Sequence, residues 1–368
     1  MNYPTDIKPL TGLRFIAATW LLLYFFWPRL GLADGVRPNI IEAGNLGVDL
    51  FFILSGFVLA HVYGPQVENN KYHHGAFIWA RLARVYPLHL LTLLAVIGIW
   101  LVGHALGSSF ENGAFVSWHI PFHLTLTHAW GFLKSDGWNF PSWSISAEWF
   151  AYLTFPVSFY IVSRFRKSPI WGLVAIVALF AALHQALGAN DIELTDMTWQ
   201  GAELRIMVAF IGGAMLWQAG RNLVTTPQIA IAGVAVSVLW LGVTCTFTTS
   251  SLLIWPGLMA LVFFLAETSK HPNATLLGSK TWVYLGEISF AMYMVHLPVD
   301  IVYYQIVEKF IGGADKYATV LVIGTFAMVV IVAAAAHAIF EKPIRNYMRA
   351  NPPKYMSSKG QTLGKALH

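Results

Sequence analysis

Apolar runs of about twenty residues recur from one end of the chain to the other. The first is Thr11 to Trp27, whose only charge is Arg14, and the second is Asn45 to Tyr63. A third follows Tyr86-Pro87 and reaches about Val102, and a fourth covers Trp143 to Arg164. Six more fall at 169–187, 204–220, 228–247, 251–268, 284–306 and 317–340. A helix needs about 20 apolar residues to cross a bilayer core, so the pattern predicts an all-α bundle of about ten spans. Gly103 to Trp138 breaks the pattern, because His104, His119, His123 and His128 sit there among prolines and aromatic residues. The segment at 103–140 therefore reads as extracytoplasmic or partly re-entrant, which is permitted at depth only when protein surrounds it.

Composition confirms the class. Of 368 residues, 57% are hydrophobic and 11% charged, against about 25% charged in a soluble domain. The fifteen tryptophans suit interfacial belts as well as packing. Cys245 is the single cysteine, which rules out an internal disulfide. The first run reads as a span, not a cleavable signal, since no small-residue cleavage site follows it. Residues 1–350 form one membrane domain, and 351–368 form a flexible tail. Lys71, Arg164, Arg166, Lys167, Arg221, Lys270 and Lys280 fall in alternate loops, while the loop at 188–203 is acidic. The positive-inside rule then places both termini in the cytoplasm. The net charge of +5 reflects these loops, not a nucleic-acid surface.

Charges inside the spans are the candidate chemistry. Arg14 in an apolar run costs roughly 2.5–3.5 kcal/mol on insertion scales, so it needs a partner or a task. Position 25 lies on the same helix face about 16 Å away. Arg81 and Arg84, three apart, are neighbours on a helix. They suit a phosphate-bearing ligand, or they are ordinary positive-inside charges. Asp49 opens the second run and Glu148 lies one to two turns into the fourth, with Ser144 on the same face as Glu148. The spacing places both acids at the shallow outer depth of position 25. Asp49 is either a functional acid or a helix cap, and either acid can pair with Arg14. His296 lies mid-span before Pro298, as a functional group or as a histidine bonded to backbone. The histidines at 104–128 fit no compact ligand spacing, and no metal is assigned. Glu341 suits an ion pair with an inner-face arginine.

Taken together and in order, Leu10 to Phe26, Gly44 to Phe57, Arg81 to Leu88, Pro141 to Pro156, Tyr284 to Pro298 and Phe340 to Arg345 resemble the membrane-bound acyltransferase family 3. The resemblance covers nearly the whole chain. It implies transfer of an acyl group, most often acetyl, from cytoplasmic acyl-coenzyme A to a hydroxyl of an extracytoplasmic glycan, in a bacterial inner membrane. The family's arginine–histidine pair falls on Arg14 and Phe25, its serine–glutamate motif on Ser144 and Glu148, and its Gly-Val-Asp on Gly47, Val48 and Asp49. Its acyl-coenzyme A arginines fall on Arg81 and Arg84, and its Tyr-x-x-His-x-Pro on Tyr293, His296 and Pro298. The implied catalytic set is Phe25, Glu148, Asp49 and Ser144. The implied donor set is Arg81, Arg84, Arg14, Tyr86 and His296.

Phe25 departs from the family, whose histidine there is the expected general base. A phenyl ring takes no proton near neutral pH. The chain is then a variant impaired at position 25, an enzyme in which Glu148 or His296 has taken over, or a non-catalytic protein. A transporter is the other class that ten charged spans permit, but no inverted repeat or paired broken helices mark one.

Overall fold

The helices follow the apolar runs. The computed structural model describes residues 2–32, 37–107, 115–133, 137–310 and 317–356. Twelve helices carry the argument: α1 Lys8–Phe26, α2 Gly47–Glu68, α3 His74–Ala105, α4 Trp143–Leu153, α5 Phe155–Arg164 and α6 Pro169–Gly188. Then come α7 Ala202–Gly220, α8 Pro227–Phe247, α9 Ser251–Thr268, α10 Lys280–Phe310, α11 Ala318–Ala336 and α12 Lys342–Ala350. No strand occurs among the described residues.

Among the described residues, eight helical stretches are long and apolar enough to cross a membrane. α4 and α5 make a ninth, bent by 63° at the break between them. Pro156 causes the break at Thr154: it has no N–H to give the carbonyl one turn back, and its ring crowds that carbonyl. α7 falls outside that set, because Glu203 and Arg205 lower its hydropathy. Loop contacts define two faces of the bundle and show that α7 runs between them. On one face, Arg221 pairs with Glu68 at 2.6 Å, Lys270 donates to the Gly220 carbonyl at 2.7 Å, and Tyr3 donates to Glu267 at 2.5 Å. Burial, then the Glu267 carboxylate, raises the Tyr3 pKa well above its ordinary value, so the hydroxyl stays a donor. On the other face, Arg29 pairs with Asp300 at 2.8 Å, Asn45 donates to Asp196 at 3.2 Å, and Asn39 donates to the Thr246 carbonyl at 3.0 Å.

α7 is also the centre of the bundle. Every residue from Val208 to Gln218 is buried. On peripheral α6 only Gly172, Ile176 and Phe180 are buried, a stripe one residue wide repeating every four. α2 and α7 run parallel, Asp49 beside Arg205 at their starts and Glu68 beside Arg221 at their ends, and touch backbone to backbone. A Cβ on Gly56 would strike the Phe210 carbonyl, and one on Gly213 would strike that of Ile53. Without a hydrophobic drive between helices in lipid, such small-residue contacts are what hold helices close.

The described part of 103–140 tucks in beside α3. His89 bonds the His123 carbonyl at 2.9 Å and Asn139 donates to Thr92 at 3.0 Å, about four turns before α3 ends. Trp130 donates to the Ser146 carbonyl on α4 at 2.9 Å. Of the tail expected at 351–368, residues 357–368 lie outside the described residues.

Candidate active site

Six helices, α1, α2, α3, α4, α10 and α12, enclose a cavity of about 200 Å³. Five arginines line it, Arg14, Arg81, Arg84, Arg345 and Arg349, with only Glu148 and Glu287 as acids. The arginines of α3 and α12 lie toward the face that holds Glu68 and Arg221, since Trp79 donates to the Met348 carbonyl there at 2.7 Å. The lining then runs inward past Arg14 and Glu148 to Ser144 and Tyr293.

Glu148 accepts a hydrogen bond from Ser55 of α2 at 2.6 Å. Among the described residues it has no ion pair, and neither have Arg14, Arg81 or Arg349. Arg81 lies over the Tyr63 ring at 5.8 Å, a contact that steadies a guanidinium without neutralising it. Arg84 is different. It forms an ion pair with Glu341, which also takes Arg345 at 3.3 Å and His337 at 3.0 Å. The ion pair read for Glu341 from the sequence is therefore present.

Ser144 donates to the Tyr293 hydroxyl at 3.0 Å, and Tyr293 donates to the Pro141 carbonyl at 2.6 Å. No histidine or carboxylate bonds the Ser144 oxygen among the described residues. The arrangement ties α4 to α10 and does not activate a nucleophile.

The cavity thus gathers Arg14, Arg81, Arg84, Ser144 and Glu148. It does not gather Asp49, Phe25, Tyr86 or His296. Asp49, at the start of α2 and 1% exposed, is held by Arg205 of α7 through two bonds, 2.5 and 3.2 Å. Its partner is Arg205, not Arg14, and the two acids do not share one depth with position 25. Tyr86 donates to the Leu124 carbonyl at 3.1 Å, on the histidine-rich segment. Phe25 stacks on His296, with ring centroids 4.9 Å apart, and meets Phe140 edge-on at 6.1 Å. The His296 Nδ1 bonds the Tyr293 carbonyl at 2.5 Å. Tyr293 lines the cavity and its ring lies 5.8 Å from that of His296, so Phe25 is two rings behind the wall.

Sequence reasoning passed over Arg205, Ser55, Arg345 and Arg349. The last two are four apart, the spacing of neighbours on a helix, and that spacing is visible in the sequence. Arg205 gave only the signal of a charge in an apolar run.

The family model described as an acyltransferase domain matches residues 8–337. Acyltransferase MdmB of Streptomyces mycarofaciens is 28% identical over 94% of both chains. Peptidoglycan O-acetyltransferase OatA of Listeria monocytogenes is 22% identical over all of this chain and 60% of its own length. O-acetyltransferase OatA of Staphylococcus aureus is 23% identical over 81% of this chain and 51% of its own. The chain thus spans about half to 60% of the O-acetyltransferases it matches. No solved structure matches. With the match covering nearly all of a many-helix membrane bundle, the chain belongs to acyltransferase family 3, the multi-pass membrane O-acyltransferases.

Proposed function

We propose that the chain moves an acyl group, most often acetyl, from acyl-coenzyme A held at the arginine end of the cavity to a glycan hydroxyl on the opposite side of a bacterial inner membrane. One observation carries this reading: Arg14, Arg81 and Arg349, none with a carboxylate partner among the described residues, line the same cavity as Glu148. Buried charges left unmatched are expensive in a bilayer, so a site for anions is the economical explanation. The phosphates of the coenzyme sit against Arg81 and Arg84, and the thioester arm reaches inward to Glu148. The face with Lys270, Arg221 and the α12 arginines is the cytoplasmic one by the positive-inside rule, with both termini on it. The names of the longer peptidoglycan O-acetyltransferase relatives support a glycan acceptor.

Phe25 leaves the transfer without the family's base, and on one reading the chain is impaired there. Glu148, which lines the cavity where Phe25 does not, is the residue placed to take the acceptor's proton instead. Binding of acyl-coenzyme A to detergent-purified protein tests the donor assignment. Arg81→Ala with Arg84→Ala abolishes it on this reading, and unchanged binding removes the assignment. Phe25→His separates the two readings of position 25. A rise of about 10²–10⁴ in acetyl transfer marks a disabled base, the usual contribution of such a group; no rise leaves Glu148 in that role.

A further inference from the structure

α11 does not run straight into α12. A π-helical turn, His337–Glu341, lies between them, and one wider turn of this kind re-aims the helix that follows. Glu341, fully buried at that joint, holds Arg84 of α3, Arg345 of α12 and His337. Trp79 of α3 fixes the far end of α12 through the Met348 carbonyl at 2.7 Å. α12 is therefore clasped against the first turns of α3. Arg345 and Arg349, on one face of α12, share the cavity with Arg81 and Arg84.

Four guanidiniums at one mouth repel one another, and Glu341 offsets only part of that. The Nε atoms of Arg81, Arg345 and Arg349 are all buried and have no hydrogen-bond partner. Buried donors are ordinarily satisfied, so three orphans converging on one cavity mark a missing acceptor. A planar guanidinium presents a fork that matches phosphate oxygens two at a time.

The geometry points to α12 as the second half of an anion clamp: Arg345 and Arg349 close on a ligand carrying at least two phosphate groups, opposite Arg81 and Arg84. Naming that ligand as the phosphorylated nucleotide end of acyl-coenzyme A rests on the function proposed above. The clamp itself rests only on the four arginines and on the unfilled donors of three of them. Clustered phosphates also occur on the headgroups of anionic lipids, so the source needs its own arm in the test.

The test is titration of the full chain, in nanodiscs of zwitterionic lipid, with coenzyme A, adenosine 3′,5′-bisphosphate and pyrophosphate. The expected result is binding of the soluble phosphates that Arg349→Gln weakens at least tenfold. Arg349→Lys, which keeps the charge and loses the fork, should retain part of the lost affinity. Arg221→Gln removes an arginine paired with Glu68 on the same face and should leave binding unchanged. Arg349 enters no ion pair among the described residues, so its loss should not shift the melting temperature. Arg345→Gln is the second variant, with the melting curve as its folding control. If both α12 variants keep wild-type affinity while Arg81→Gln with Arg84→Gln loses it, the clamp is overturned and the donor reading survives. If pyrophosphate binds and Arg349→Gln weakens it but coenzyme A does not bind, the clamp stands and the donor reading fails. If no soluble phosphate binds and only phosphatidylglycerol added to the nanodiscs is retained, the nucleotide clamp is overturned.

Discussion

Two seams in this bundle carry charge, and they treat it in opposite ways. Between α2 and α7 the helices touch through Gly56 and Gly213, and the charges are matched: buried Asp49 with Arg205 at one end, half-buried Glu68 with Arg221 at the other. Where α1, α3, α4, α10 and α12 meet, the helices stand apart around a cavity, and Arg14, Arg81, Arg349 and Glu148 have no ion-pair partner among the described residues. The first seam spends its charges on holding two helices in register. The second keeps them available. A missing counter-charge is therefore one mark of a functional candidate in this bundle.

Substitutions on the two seams should part company, and the largest effect belongs to the closed one. Asp49→Asn leaves Arg205 buried without its counter-charge, which should destabilise the fold by about 3–5 kcal/mol; unfolding in mixed micelles measures it, and a loss under 1 kcal/mol would erase the contrast. Next, Glu148→Gln should lower acyl transfer by about 10²–10⁴ while leaving unfolding almost unmoved, so a variant that loses stability instead would place Glu148 with Asp49. Ser144→Ala removes one donor to Tyr293, for which about 0.5–1.5 kcal/mol of stability is expected. Turnover should stay within tenfold of the parent, and abolished turnover would make the hydroxyl a participant. Tyr86→Phe is the mildest, losing a single bond to the Leu124 carbonyl outside the cavity. A shift of about 1 kcal/mol or less is expected, with coenzyme A affinity unchanged; a weakened affinity would return Tyr86 to the donor site.

The spans were legible because a bilayer imposes length and apolarity on each helix separately, and those are local properties of a run. α7 shows the limit of that reading. Its central position comes from Gly213 and from the wholly buried stretch Val208 to Gln218, and composition alone does not separate it from peripheral α6. Arg14, Arg81, Arg84, Ser144 and Glu148 were legible as a group through the family motifs, and the cavity holds all five. Asp49 was not separable from Glu148 in the sequence, because the distinction is made by Arg205, 156 residues downstream. Arg345 and Arg349 were passed over as candidates in the sequence. The π turn that aims them at the cavity depends on Glu341 meeting Arg84, 257 residues earlier. Position 25 was plain as a departure, but that it packs on His296 behind Tyr293 required the fold.

The Asp49–Arg205 pair also sets a problem of timing during biogenesis. At about 5–20 residues per second a ribosome takes roughly 8–30 s to add the 156 residues that separate them. For that interval α2 has left the ribosome with its carboxyl and without its guanidinium. The carboxyl lies in the first turn of its helix, so it can wait at the headgroup level or keep a proton. Only when α7 arrives can the glycines of the two helices meet, so the centre of the bundle cannot close before α7 is inserted.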